Sequence, residues 1–247
     1  MRLQKNINFA LSKEEKVNKH QLITLKERKK TMKKLFMIAM VAVATLTANA
    51  QSKVKAGTWS IQPKAGVTIA SITNMDGFGT DDANVYVGAT IGGEAEYQIT
   101  DRISVAAGVG YIMQGKQWAD YNYGGNKVED NKVELGYINV PVVANFYAFK
   151  GLAFKAGVQF AFLTNAKQKY TTITGGTENA VSHDIKDACN TFDFSIPVGV
   201  SYEFDNHIVI DARYNIGITK LNKNSYPGHK DNHNSVFLAT VGYKFRL

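Results

Sequence analysis

The chain has 247 residues, a formal net charge of +8 and a single cysteine, Cys189. Residues 1–50 carry 11 Lys and Arg against 3 Asp and Glu, which leaves 18 of the 29 basic and 18 of the 21 acidic residues for residues 51–247. A neutral main part argues against a nucleic-acid partner, and one cysteine excludes an internal disulfide.

The N-terminal fifty residues have the features of a targeting segment. Met32 is followed by two lysines, by an apolar run over 35–48 and by small side chains that end at Ala50. This order predicts a signal peptide over 32–50 that is cleaved after Ala50. The apolar run of about 14 residues is short for a transmembrane helix. Residues 1–31 are predicted to be a non-native extension, with translation starting at Met32, and residues 51–58 a short periplasmic lead.

From Trp59 onwards, apolar and polar residues alternate with period two, which is typical of β-strands. Polar segments separate long alternating stretches, and no helical period competes with them. Eight strands are predicted, at 59–71, 85–98, 102–117, 132–147, 152–165, 191–204, 207–220 and 234–247.

Strand length and loop length favour a barrel that crosses a membrane. Membrane strands need about 9–11 residues, whereas strands of soluble proteins average about 5–6. The predicted connections alternate between long ones, at 72–84, 118–131, 166–190 and 221–233, and short ones near 100–101, 150–151 and 205–206. This alternation predicts an all-β fold, a single closed antiparallel up-and-down transmembrane β-barrel over 59–247 with both termini in the periplasm and four long extracellular loops. A soluble lipocalin-like barrel, which would bind ligands in the periplasm, is the alternative.

The polar face of the predicted strands combines glycines and small residues with charges of both signs. An eight-stranded barrel has an interior only wide enough for side chains, so these charges are expected to pair and plug the lumen. The predicted structural network consists of Lys64, Glu94, Glu96, Lys155, Glu203, Asp211, Arg213, Lys244 and Arg246. Aromatic residues near strand ends are expected to form girdles at the membrane interface, namely Trp59, Tyr97, Trp118, Tyr147, Phe204 and Tyr243.

Several segments resemble the small outer-membrane β-barrel or "porin family" proteins of Gram-negative bacteria. The matching residues are 137–146 (YINVPVVANF), 151–158 (GLAFKAGV), 192–194 (FDF), 199–204 (GVSYEF), 211–219 (DARYNIGIT) and 241–245 (VGYKF). The resemblance covers roughly Trp59 to Leu247 and implies a location in the outer membrane, with membrane lipid and lipopolysaccharide as surroundings. The alternating Tyr243, Phe245 and Leu247 resemble the terminal strand that is read by the barrel assembly machinery, which is therefore an expected partner.

The sequence offers few candidates for chemistry. Glu94 and Glu96 share a strand face about 7 Å apart, a separation that a glycosidase could use, but a lumen ion network is the simpler interpretation because it requires only the predicted barrel. Ser182, His183 and Asp184 are adjacent, which is unsuitable for a catalytic triad. His229 and His233 could form a weak metal site, with a solvated loop as the simpler interpretation. We therefore expect no enzyme activity, no cofactor and no metal.

The function expected from these patterns is a structural or surface-interaction role in the outer membrane. A narrow pore for small solutes is the alternative, and a hydrolase or acyltransferase acting at the rim is a more distant one. The sequence leaves the partner of the extracellular loops open.

Overall fold

The structure is a computed structural model that describes residues 54–75, 83–224 and 231–247. The described strands all belong to one compact unit, Ala50–Leu247. The predicted N-terminal extension, the signal peptide with its cleavage site and residues 51–53 of the lead lie outside the described residues.

Eight long strands form a closed ring in which each pairs with its neighbours in antiparallel fashion. β1 pairs with β3 on one side and with β11 on the other, which closes the ring. The barrel strands are β1 (Trp59–Ile72), β3 (Tyr86–Thr100), β4 (Ile103–Trp118), β6 (Asn126–Phe149), β7 (Leu152–Thr174), β9 (Phe192–Glu203), β10 (Ile208–Lys220) and β11 (His233–Tyr243). The predicted all-β, up-and-down barrel of eight strands is confirmed.

Four shorter elements extend this ring. β2 (Ala83–Asn84) pairs with the end of β4, β5 (Tyr121–Tyr123) with the start of β6, and β8 (Thr177–Asp184) with the end of β7. β12 (Phe245–Arg246) continues β11 and pairs with β1. A 3-10 helix, Lys186–Ala188, precedes β9.

The short turns lie at one end of the barrel, together with the start of β1 and the end of β12. Thr100 begins the first turn, and its hydroxyl accepts hydrogen bonds from the backbone N–H groups of Arg102 and Ile103. Gly151 adopts a positive φ of 86° in the second turn, and His207 adopts a φ of 66° in the third. Since such a backbone conformation favours glycine, these tight turns depend on local residue choice.

Two predicted long loops are largely strand, so the prediction of four long loops was wrong in this respect. Most of 166–190 belongs to the hairpin of β7 and β8, and much of 118–131 belongs to β5 and β6. Few residues of 167–174 are apolar, so no apolar face marked this segment as strand. Backbone pairing from Lys167↔Asp184 to Thr174↔Thr177 forms the hairpin instead.

The outer surface of the ring is apolar. Large hydrophobic side chains at alternate positions of every barrel strand are exposed, among them Ile91, Val109 and Val241. Because a water-soluble protein rarely exposes so large a continuous apolar surface, this band indicates contact with lipid. The soluble lipocalin-like alternative would require these side chains to point inward.

The predicted aromatic girdle is only partly correct. Trp59 and Tyr97 stack on the outer surface with ring centroids 4.9 Å apart, and Phe204 and Tyr243 are also exposed there. Trp118 and Tyr147 are buried instead. Both occupy inward positions of their strands, so strand parity decides their side, whereas proximity to a strand end does not.

In the described part of the chain, no helix has the length and apolar character that a transmembrane helix requires.

Candidate functional site: the barrel interior and the protruding sheet

The interior of the barrel is divided into layers of different chemistry. Nearest the short turns are Glu96, Glu203, Lys244 and Arg246, which we call the basal cluster. Above it lie Lys64, Glu94, Lys155, Asp211 and Arg213, which we call the central cluster. Together these are the nine residues of the predicted network, and all point into the lumen.

Arg213 is the centre of the central cluster. Its two terminal nitrogens donate to both carboxylate oxygens of Glu94, at 2.6 and 2.8 Å, and its Nε donates to Asp211 at 2.8 Å. Lys64 Nζ donates to Glu94 at 2.5 Å, and Lys155 Nζ donates to Asp211 at 2.6 Å. Such a fork geometry fixes the guanidinium between two carboxylates and links strands β1, β3, β7 and β10 across the lumen.

The basal cluster joins the C-terminal end of the barrel chain to several other strands. Lys244 Nζ lies 2.7 Å from a Glu96 oxygen and 3.5 Å from a Glu203 oxygen. Arg246 forms an ion pair with Glu203, and its Nη1 lies 2.7 Å from Nδ1 of His207. Glu96 also accepts hydrogen bonds from the hydroxyl groups of Ser104 and Tyr147. The cluster thus ties β11 and β12 to β3, β4, β6 and β9.

The end of the lumen away from the short turns is filled by apolar side chains, which sequence reasoning missed. We call this layer the upper core. Its members come from the barrel strands and from the connections above them: Ala70, Ile72, Tyr86, Ile112, Trp118, Val133, Leu135, Tyr137, Ala161, Leu163, Ala166, Cys189, Leu221, Val236 and Leu238. The inward residues of β6 from Val133 to Tyr137 were the available signal, because they keep period two with Asn139 and Asn145.

A few polar groups are enclosed by the upper core. Asn234 Nδ2 donates to Asp193 at 3.0 Å and to the hydroxyl of Tyr137 at 3.3 Å. Lys116 donates to the carbonyl groups of Ile72 and Met75, which anchors the connection after β1. These bonds satisfy backbone and side-chain groups that apolar neighbours could not.

One small cavity lies between the central cluster and the upper core. It has a volume of about 20 Å³, which is room for about one water molecule. The side chains of Lys64, Asn139, Asn215, Leu238 and Thr240 contribute to its wall.

A sheet formed by β5, β6, β7 and β8 protrudes beyond the upper core. From Ala166 to Thr174, β7 continues for roughly 26 Å of strand. In the described part of the chain β8 pairs with β7 alone, so its other edge is unpaired. Seven of the eight β8 residues are exposed. Lys132, Lys169, Thr171 and Ser182 line a shallow groove on this sheet.

Most of the residues considered for catalysis have other partners in the structure. Glu94 and Glu96 both face the lumen, but each is paired within a different cluster. On β8, the ring of His183 contacts the ring of Tyr170, with centroids 6.1 Å apart, while Asp184 accepts a hydrogen bond from the backbone of Lys186.

Of the two histidines considered for metal binding, the structure describes His233. His233 Nδ1 lies 3.1 Å from the carbonyl oxygen of Thr219, and His229 lies outside the described residues. Within the ranges that the structure describes, no group of three or more His, Cys, Asp or Glu side chains is arranged to hold a metal.

Comparison with known proteins gives structural similarity at low identity. No curated protein matches the chain. The crystal structure of the attachment invasion locus protein Ail of Yersinia pestis is 14% identical over 77% of this chain and 99% of its own, with a TM-score of 0.39. Neisserial surface protein A is 16% identical over 76% and 97%, with a TM-score of 0.39. OprG from Pseudomonas aeruginosa is 16% identical over 77% and 97%, also with a TM-score of 0.39.

A family model described as "Outer membrane protein beta-barrel domain" matches residues 49–223, which is most of the chain. The match includes seven of the eight barrel strands, from β1 through β10. It agrees with the closed ring and with its apolar outer band. The chain therefore belongs to the outer-membrane protein β-barrel domain family.

Proposed function

We propose that this protein is a non-conducting outer-membrane barrel with a structural and surface-interaction role. The observation that carries the proposal is the filled interior combined with a protruding sheet. Ion pairs occupy the lower interior, apolar side chains occupy the upper interior, and the cavity between them has room for about one water molecule. A narrow pore would require a continuous aqueous path through both layers.

The protruding sheet is the part of the molecule that we propose for contact with partners. The hairpin of β7 and β8 is long, polar and exposed, and the free edge of β8 contains neither proline nor lysine, the residues that commonly protect a sheet edge. A partner with an extended segment can add a strand to such an edge through main-chain hydrogen bonds. The barrel then serves as the rigid base that holds this sheet away from the membrane.

The proposed orientation has both termini in the periplasm and the protruding sheet outside the cell. Short turns and the two ends of the barrel chain share one end, which is the arrangement expected of an even-stranded barrel inserted from the periplasm. Tyr243, Phe245 and Leu247 are exposed on the outer surface beside β1, where they are accessible to the proposed assembly machinery. The apolar band is proposed to contact membrane lipid and lipopolysaccharide.

We further propose that the protein is not an enzyme. The carboxylates and cations of the basal and central clusters are engaged in ion pairs. Ser182, His183 and Asp184 are consecutive on one strand, where alternate side chains point to opposite faces.

Conductance of the purified protein in a planar bilayer tests the closed interior. We expect no single-channel steps at moderate voltage. The matched control is the double variant Leu135→Ala with Arg213→Ala, which thins both layers at once and should produce leak currents. Regular steps from the unmodified protein, of a size that the double variant does not change, would contradict the proposal and support the narrow pore.

An epitope inserted between Gly175 and Gly176 tests the orientation, since both glycines lie at the tip of the hairpin with open space around them. We expect an antibody to label intact cells. A second epitope at Lys150 in a short turn should be labelled only after the outer membrane is permeabilised. The opposite pattern would overturn the orientation.

Adhesion tests the surface role. Cells that display the full barrel should bind an immobilised partner or surface that cells displaying a barrel without residues 171–181 do not bind. The shortened barrel should still migrate as a folded, heat-modifiable species on gels. Equal binding by both cell types would argue for a purely structural role.

A further inference from the structure

The small cavity above the central cluster is surrounded by buried polar atoms that have no partner. Both amide atoms of Asn215, the Oδ1 of Asn139 and the Oγ1 of Thr240 are buried without a hydrogen bond. These three side chains are 4%, 7% and 4% exposed, and all three residues line the cavity. Since leaving several buried polar groups unpaired is unfavourable, their convergence indicates a site for a bound particle.

Glycines on the facing strands create the space. Gly92 pairs with Lys64 on one side and with Gly110 on the other, so two adjacent inward positions lack a side chain. Thr240 pairs with Gly66, a third inward position without one. A Cβ atom at Gly110 would lie 3.1 Å from Oδ1 of Asn139. Gly92 and Gly110 line the cavity, and Gly110 lies beside Asn139 on the neighbouring strand, so the absence of side chains there leaves room next to the amide of Asn139.

The charges beside the cavity do not balance. The central cluster contains three cations, Lys64, Lys155 and Arg213, and two carboxylates, Glu94 and Asp211, which gives an excess of one positive charge. The basal cluster, by contrast, has two of each sign. An uncompensated charge in a buried site is unfavourable, so a bound negative charge would stabilise the central cluster.

We propose that this cavity binds a small monovalent anion of the chloride type. The amide Nδ2 of Asn215 and the hydroxyl of Thr240 donate to it, and the ammonium group of Lys64 supplies the positive potential. The volume of about 20 Å³ excludes larger anions such as phosphate. This site is independent of the surface role proposed above.

The amide of Asn139 can also serve as a donor. Its Nδ2 now donates to Oε1 of Gln159 at 3.1 Å, and the Nε2 of Gln159 lies 3.4 Å from Oγ of Ser195. If both amides turn over, Gln159 donates to Asn139, the hydroxyl of Ser195 donates to Gln159, and the Nδ2 of Asn139 faces the cavity. The hydrogen bonds between Asn139 and Gln159 and between Gln159 and Ser195 are both preserved, because the oxygen and nitrogen of an amide occupy equivalent positions.

Bromide is the probe for this site, because it replaces chloride and scatters anomalously. Crystals of the full barrel grown from chloride-free protein and soaked in sodium bromide should show an anomalous peak within hydrogen-bonding distance of Asn215 Nδ2 and Thr240 Oγ1. The Asn215→Leu variant, treated in the same way, should lose this peak. Density for water alone in the unmodified protein, with no anomalous peak, would overturn the proposal.

Unfolding temperature gives a second readout that needs no crystal. In detergent at constant ionic strength, the unmodified barrel should unfold at a higher temperature in sodium chloride than in sodium gluconate, whose anion is too large for the cavity. Lys64→Gln removes the excess positive charge and should abolish this difference. Lys244→Gln, the matched change in the basal cluster, should retain it. Equal unfolding temperatures of the unmodified protein in both salts would contradict the proposal.

Discussion

The lower and upper halves of the barrel interior are both filled by side chains, but these side chains differ in their chemistry. The lower half contains two ion-paired clusters that join strands across the barrel. The upper half contains an apolar core around Leu135 and Tyr137. An ion-paired layer fixes geometry but depends on every charge being matched, whereas an apolar layer depends on volume alone. Substitutions in the two halves should therefore lower the stability of the barrel for different reasons.

Removal of one carboxylate from the central cluster should have the largest effect. Glu94→Gln preserves shape but leaves Lys64, Lys155 and Arg213 with Asp211 as their only carboxylate partner. Breaking a buried ion pair on one side typically costs about 3–5 kcal/mol. We expect a loss of this size in the free energy of unfolding, measured by urea titration of the barrel in lipid vesicles.

The basal cluster provides the control for this change. Glu96→Gln removes a carboxylate that is shared with Lys244, but Glu203 remains beside that lysine, and Ser104 and Tyr147 can still donate to the new amide oxygen. A smaller loss is expected. Equal losses for the two variants would mean that charge balance does not distinguish the clusters.

A cavity in the upper core should cost somewhat less. Leu135 is fully buried, and Leu→Ala substitutions in packed cores cost about 2–5 kcal/mol. We expect Leu135→Ala to lower the free energy of unfolding by about 3 kcal/mol, in the same urea titration. The loss should be independent of salt concentration, because no charge is involved.

Leu135→Met is the volume-conserving control and should cost less than about 1.5 kcal/mol. If Leu135→Ala were as mild as this control, the upper core would be loosely packed, and the closed interior would then depend on the ion-paired layers alone.

The two halves also differ in how far the sequence reveals them. In the lower half, charged residues such as Glu94, Glu96 and Arg213 alternate with apolar ones, so period two identifies the inward face. In the upper half both faces of the strands are apolar, as on β7, where Leu163 points inward and Phe162 outward. A binary pattern cannot separate two apolar faces, and the upper core was therefore not predicted.

The same reasoning explains the hairpin above the rim. Beyond Ala166 the strands leave both the lipid and the core, so neither solvent selects an apolar face and the sequence has the composition of a loop. Loop alternation and strand number were predictable because they depend on the eight membrane-spanning segments alone. The pairing of individual charges was not predictable from the sequence. The inward face of the strands contains many charges, and only the curvature of the barrel decides which of them meet.

A matched pair of glycines tests the two ends of the molecule. Gly151 in a short turn has a φ of 86° and Gly176 at the hairpin tip has a φ of 85°. A Cβ atom at Gly151 would lie 2.4 Å from the carbonyl oxygen of Glu203, whereas Gly176 has no neighbour within 4 Å. Gly176→Ala should cost about 1 kcal/mol of backbone strain, measured by urea titration.

Gly151→Ala adds a clash with backbone to the same strain, so its loss of stability should exceed that of Gly176→Ala by about 1–2 kcal/mol. Because the φ angles match, the difference reports on the packing of the short-turn end. Identical losses would show that this turn shifts freely and does not fix the base of the barrel.

The smallest expected effect concerns Cys189, which lies between the 3-10 helix and β9 but is buried against the upper core. Burial raises the pKa of its thiol, so little of it is in the reactive thiolate form near neutral pH. We expect a maleimide reagent to label the folded barrel slowly and the urea-unfolded chain rapidly. Leu135→Ala should accelerate labelling without complete unfolding, because it loosens the layer that covers the thiol, whereas Glu96→Gln, in the distant basal cluster, should leave the rate nearly unchanged. Fast labelling of the unmodified folded barrel would contradict a packed upper core. It would mean that water reaches the thiol of Cys189 from the end of the barrel with the long connections.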